Sequence, residues 1–185
     1  MLDQLLATPG VEERCVLGSS FGFLALHGGL EAHTAEIAQA AAVASNASIY
    51  AVVQPDDLRW HIPSHKLDPA QSDALLAFLE HVDCVVSVHG FGGLRGSDDR
   101  WITGLLGGSN RDLAARIAGR LREALPGYLW IDDLDVIPSH LRGVHPDNPV
   151  NRPAHGVVQL ELPPRVRRTP GDAAALVGAL AAVAR

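Results

Sequence analysis

Val82-Asp83-Cys84-Val85-Val86-Ser87-Val88-His89-Gly90 (VDCVVSVHG) is the stretch that decides the fold. Five of its first seven residues are apolar and four are β-branched. A short apolar run without helical spacing reads as a strand buried on both faces, as in the parallel core of an α/β sheet. The run stops at His89-Gly90, so the imidazole falls at the carboxyl end of the strand. Cys84 reads as a buried core residue.

Working outward, other strands of the same kind appear. Phe21–Leu26 (FGFLAL) ends at His27, Ser48–Val53 (SIYAVV) is closed by Pro55, and Val157–Leu162 (VVQLEL) carries Glu161 near its end. Trp101–Leu106 and Tyr128–Ile131 are weaker strand signals. Between them lie helical patterns. Thr34–Ala44 carries Ile37, Ala38, Ala40, Ala41 and Ala44, which mark a helix with a small face. A helix opened by Pro69 runs through Leu75, Phe78 and Leu79, since proline suits a first turn. Arg111–Leu125 repeats Leu113, Ala114, Ile117, Leu121 and Leu125, and Gly171–Ala184 is an Ala/Leu helix. Strands alternating with helices predict an α/β fold in which helices cover both faces of an open sheet. Arg59–Lys66 reads as irregular because of Pro63. The Pro/Asn/Asp/Gly-rich stretch from Asp132 to His155 is long for a loop in a compact domain, which marks it as functional or partly structured. No repeat or interdomain linker interrupts the chain, so residues 1–185 are expected to form a single domain.

Composition narrows the function. A chain of 185 residues, 47% hydrophobic, can bury one sizeable core. Its net charge of −6 argues against a nucleic-acid partner, which would need a concentrated positive surface. Two cysteines, Cys15 and Cys84, make neither a disulfide scaffold nor a Cys-rich metal site. No signal peptide or membrane span is read, so a soluble, cytoplasmic protein without a membrane partner is expected. Oligomeric state is not encoded in any pattern here. Ser19-Ser20 and Ser109 lack a nucleophile-elbow context. The pairs Gly28-Gly29, Gly92-Gly93 and Gly107-Gly108 match no nucleotide-binding loop.

Histidine is the richer resource, with nine in the chain. His27, His89 and Glu161 all sit at carboxyl ends of strands, where open α/β sheets bind ligands. Glu31 follows His27 by four residues across Gly28-Gly29, which let the backbone turn tightly. Two imidazoles and a carboxylate make a His2Glu set suited to catalytic zinc, with a position left for water. A further carboxylate, Glu161, is then available to take a proton. Bland readings stand beside these. A strand-end histidine is often only hydrogen-bonded, and Glu161 alternates with Gln159 as an outward-facing residue would. His33, His81 and His140 carry no sharp signal and read as solvated.

The ordered segments ALHGGLE (25–31), TAEIA (34–38), WHIPS (60–64), VVSVHG (85–90), Gly107-Gly108, NPVNR (148–152) and GVVQLEL (156–162) together resemble the poly-γ-glutamate hydrolase family. The likeness runs from about Phe21 to Arg168. It implies a single-domain mixed open sheet, zinc-carboxypeptidase-like, that cleaves γ-glutamyl amide bonds. It also implies His27, Glu31 and His89 as Zn2+ ligands and Glu161 as general base. This chain spaces its first His and the Glu one residue more tightly than the family pattern.

A glutamyl substrate, small or polymeric, needs a cation for its carboxylate. Arg152, beside Asn151 in the matching NPVNR segment, and Arg111, after the Gly107-Gly108 turn, are the candidates, because a guanidinium grips a carboxylate in a bidentate fork. Two other classes remain. One is a catalytically inactive protein that binds zinc and a glutamyl ligand. The other is a phage replication accessory protein, an old label within the family.

Overall fold

The computed structural model describes residues 1–94, 96 and 98–185. Seven strands form one sheet: β1 (Glu12–Val16), β2 (Ser19–Gly28), β3 (Ala47–Val53), β4 (Cys84–Gly90), β5 (Thr103–Gly107), β6 (Leu129–Ile131) and β7 (Val157–Leu162). Their order across the sheet is β1-β3-β2-β4-β7-β5-β6. The central strands β3, β2, β4 and β7 run parallel. Strand β1 is antiparallel to β3, and β5 is antiparallel to β7. The sheet is therefore mixed, and its parallel centre is made of the near-continuous apolar runs that such burial demands.

Alternate residues of one strand reach opposite faces, and the two apolar clusters divide accordingly. Phe23 and Ala25 belong to one, with Ala38, Ala41, Leu113, Ile117, Leu121 and Leu180. These come from α2 (Thr34–Ser45), α4 (Arg111–Ala124) and α6 (Pro170–Ala184). Leu24 and Leu26 belong to the other, with Leu2, Leu5, Leu75 and Phe78 from α1 (Leu2–Leu6) and α3 (Asp73–His81). Helices thus cover both faces. The alanine face of α2 lets it lie close on β2 and β3, since small side chains bring backbones together.

Several boundaries differ from the sequence reading. Pro69 opens only a short 3-10 turn, Pro69–Gln71, capped by the Asp68 side chain. Ser72 then caps α3 afresh, its hydroxyl accepting from the Leu75 N–H at 2.9 Å. A serine N-cap sets where a helix begins more firmly than an upstream proline. Trp101 closes another 3-10 turn, and the strand begins at Thr103. Strand β1 was not foreseen. Cys84 is only partly buried, packing at the margin of the core where β4 starts. Among the described residues no helix is long and apolar enough to cross a membrane.

The segment from Asp132 to His155 is partly structured, with 3-10 turns at Ser139–Leu141 and Pro149–Asn151. Together with the irregular stretch after β3, it projects over the face of the sheet that carries Leu24 and Phe78. Ile62, Leu67 and Val150 fasten these segments into that apolar cluster. At the carboxyl ends of β2, β4 and β7 the cover lifts away and leaves a cavity.

Candidate metal centre

His89 and Glu161 face each other in register across β4 and β7. In a parallel pair in register, both side chains project to the same face, here the one that carries Val85 and Val157. Plain alternation would send His27, two residues beyond Ala25, to the opposite face. A register shift prevents this: Ala25 pairs with Ala51, but Gly28 pairs with Val53. Three steps on β2 match two on β3, a bulge of the kind that re-aims a side chain. It turns His27 toward His89, and the two rings lie 5.2 Å apart between centroids.

Glu31 reaches the same point by a tight turn. Its N–H donates to the His27 carbonyl at 2.8 Å. Gly29 makes the turn possible with a φ of 76°, and a Cβ there would run into the Gln54 carbonyl. Gly29→Ala is therefore expected to cost about 2 kcal/mol or more, a drop of ~4–8 °C in melting temperature. Bound metal should fall with it, because the turn aims Glu31. A thermal melt with metal analysis reads both effects; an unchanged melt would mean the turn relaxes freely.

The Glu31 carboxylate lies between the two imidazoles. Oε1 is 3.0 Å from His27 Nδ1, Oε2 is 3.5 Å from His89 Nδ1, and Oε2 accepts from the Gly90 N–H at 2.8 Å. One ligand atom from each of His27, Glu31 and His89 lies within 4.8 Å of the others. The far side of each ring is held. His27 Nε2 is 2.9 Å from the Ile62 carbonyl, and His89 Nε2 is 2.9 Å from Ser87 Oγ. A carbonyl only accepts, so His27 Nε2 carries a proton toward Ile62, and Nδ1 is the ring nitrogen that faces Glu31 and would be the one to ligate a metal. Such outer partners fix tautomer and orientation in metal-binding histidines. The donor set, its inward-facing ring nitrogens and its burial fit a divalent metal of the borderline-soft kind.

Electrostatics follow the same geometry. Burial would raise the Glu31 carboxyl, but hydrogen bonds from His27 and His89 hold it well below the usual carboxylate range. Burial works against a charged His89, yet Glu31, with Glu161 behind it, raises the imidazole to about 9. Glu161 is raised, first by burial and then by the charge of Glu31, against the opposing pull of His89 and Gln159. Its Oε1 accepts from Gln159 Nε2 at 2.8 Å. Gln159 and Glu161 do alternate together, but the face they share is the buried floor of the cavity, with Glu161 4% exposed.

The cavity has a volume of about 560 Å³. Besides His27, Glu31, His89 and Glu161, its walls include His61, Ser64, His65, His140, His145 and Gln159. Gln159, on β7, was not read as a site residue; His61 was noted only within the WHIPS segment, and His65 and His145 stand in irregular segments where no periodic pattern marks them. His140, read as solvated, is exposed and also lines the wall.

The structure does not bring the expected substrate-binding residues into this lining. Arg111 donates to the carbonyls of Gly108, Leu106 and Asp132, so its guanidinium clamps the β5 and β6 ends instead of facing the cavity. Asn151 donates to the carbonyls of Gly143 and His145, which pins the roof. Arg152 is exposed and lines an adjoining cavity of about 350 Å³, which shares His65 and Asn148 with the first. Arg167 was not foreseen at all. It is 8% exposed and donates to the carbonyls of Ala32, Leu162 and Phe91 at 2.6, 3.1 and 3.4 Å. It thereby ties together the loops that follow β2, β4 and β7, over Gly90, where a Cβ would strike the guanidinium.

The mixed sheet thus carries at its carboxyl edge a His/Glu/His group that could hold a metal ion, with the buried Glu161 beside it. The fold is shared with a putative carboxypeptidase from Burkholderia mallei, at 12% identity over 100% of this chain and 66% of that one, with a TM-score of 0.52. Residues 4–174 match the poly-gamma-glutamate hydrolase family, and the chain belongs to that family. A bacteriophage poly-gamma-glutamate hydrolase superposes with a TM-score of 0.79 at 21% identity, over 98% of this chain and 92% of the other. The zinc-free form of a protein designated YNDL gives 0.69 at 24% identity, over 86% and 74%. No curated protein sequence matches significantly.

Proposed function

We propose that the chain is a zinc-dependent amidohydrolase that cleaves γ-glutamyl amide bonds, in poly-γ-glutamate or in smaller γ-glutamyl or N-acyl amino-acid substrates. The observation that carries this reading is the His27–Glu31–His89 set with Glu161 beside it, in a member of a hydrolase family. The three residues would hold zinc, which supplies Lewis acidity for the scissile carbonyl and lowers the pKa of water. Glu161, outside the three-residue group, takes a proton from the attacking water and passes it to the leaving nitrogen. Gln159 holds one oxygen of Glu161, so the carboxylate keeps one orientation through the step. Ser87 and the Ile62 carbonyl keep the two imidazoles aimed. The surrounding loops exclude bulk water from the floor of the cavity, where charge interactions are stronger.

The test is substrate choice by zinc-loaded protein. γ-Linked polyglutamate or short γ-glutamyl peptides should be shortened, with new amino groups released. α-Linked polyglutamate should resist, because its scissile carbonyl stands at a different distance from each free carboxylate. Equal cleavage of both polymers would remove the γ-specific reading. Stoichiometric zinc with cleavage of neither would favour a binding protein without turnover.

A further inference from the structure

A second cavity, of about 480 Å³, lies on the other side of Glu31. Glu31, Gly90 and Phe91 belong to the walls of both. The contrast in charge is sharp. The described lining of the metal cavity holds histidines but neither lysine nor arginine. The second cavity gathers Arg59, Arg167 and Arg168, with Trp101 at its edge. Its carboxylates are Asp56 and Glu31, and Glu31 is turned to the imidazoles.

Among the described residues, none of these three arginines has a carboxylate within ion-pair distance. Arg167 is committed to backbone carbonyls. Arg59 makes one long hydrogen bond, 3.4 Å to the Leu30 carbonyl, and both Arg59 and Arg168 are exposed. Burial lowers the Arg167 guanidinium, Glu31 opposes that shift, and the positive charge of Arg168 adds to the lowering. A chain of net charge −6 has thus concentrated three guanidinium groups, two of them exposed and without an ion pair among the described residues, one wall away from the metal centre. Such an arrangement is unfavourable by itself and favourable around an anion.

We propose that the cavity walled by Arg59, Arg167 and Arg168 is a carboxylate-binding subsite, which holds a free carboxylate of a glutamyl chain whose scissile amide lies in the metal cavity. This rests on the glutamyl-hydrolase reading of the metal centre. Arg59 and Arg168 form the charge-assisted bonds, while Arg167 keeps the wall in place and adds its field. The subsite lies on the side of the metal cavity defined by Glu31 and Gly90, and Arg152 lies beyond His65 and Asn148. A polyanion crossing the metal cavity therefore meets arginines beyond each wall, while the described lining of the metal cavity holds none.

The experiment is calorimetric titration of zinc-loaded Glu161→Gln protein with a γ-glutamyl hexamer, so that binding is read without turnover. The paired substitution Arg59→Gln with Arg168→Gln should weaken binding about tenfold or more, the loss expected when charge-assisted hydrogen bonds are removed. Arg116→Gln with Arg120→Gln removes the same charge from residues of α4 that line neither cavity, and should leave affinity unchanged. If both pairs weaken binding alike, the effect is one of overall charge and the subsite is refuted. If the hexamer binds and the wild type cleaves it, but the Arg59/Arg168 pair binds as the parent does, the subsite is wrong while the hydrolase reading stands. If α-linked and γ-linked hexamers bind alike through Arg59 and Arg168 and wild type cleaves neither, the carboxylate subsite stands and the hydrolase reading falls. Tighter binding of a single-stranded oligodeoxynucleotide through the same arginines would overturn the assignment to carboxylates.

Discussion

His27→Ala and His89→Ala are each expected to yield a folded protein that retains almost no zinc and has no measurable hydrolysis. Removing a partner that merely supports a metal ligand typically costs about 10–100-fold in affinity or activity, and removing one ligand of three should exceed that. Folding should survive, because neither imidazole belongs to the two apolar clusters that bind helices to the sheet. Metal content by mass spectrometry gives one reading and thermal melting gives another. Zinc should raise the melting temperature of the wild type, since a ligand of the native state stabilises it by mass action. It should leave both variants almost unmoved. Full zinc occupancy in both would mean that other donors hold the metal. Glu31→Ala should also lose zinc, and it further removes the acceptor of the Gly90 N–H.

The parts of this centre differ in how far the sequence exposes them, and the reasons are physical. His27 and His89 were legible because each ends an apolar run, and the chain leaves a parallel core strand on the side where ligands bind. Glu31 was legible only as a spacing. What makes that spacing work is the left-handed Gly29 turn and the bulge in β2, which pure alternation cannot reveal. Glu161 was ambiguous for a related reason. Its alternation with Gln159 gave the right face, but whether that face is wet depends on loops distant in sequence, such as the one that carries His61 and Pro63. Backbone acceptors such as the Ile62 carbonyl leave no mark on residue type at all. Strand β1 escaped notice because Glu12, Glu13 and Arg14 lie at the sheet edge, where charged side chains guard an open rim and hide the period of two. Arg111 and Arg152 were chosen by chemistry alone, and chemistry does not say which acceptors a guanidinium will find. Arg111 found carbonyls, while Arg167, in the unremarkable run Pro164–Arg168, became the tie between three loops.

The separation of metal binding from catalysis rests on Glu161. Among the described residues it is not in the group whose ligand atoms converge, yet it is the register partner of His89 and is buried with a single side-chain donor, Gln159 Nε2. On the proposed function, a carboxylate so close to His27, Glu31 and His89, but apart from that group, is the one that would move a proton. Glu161→Gln preserves size and can still accept from Gln159, but it cannot take a proton from water. Zinc content and melting temperature are therefore expected to match the wild type, while turnover falls by roughly 100-fold or more, the usual range for a positioned acid–base group. The loss should appear in kcat, with KM little changed, because the proton moves only in the transition state. Loss of zinc from the variant would instead make Glu161 a ligand and require another carboxylate, such as Glu36, to act as base. Normal hydrolysis would leave Glu161 as a buried structural residue, held by Gln159 for the sake of the floor alone.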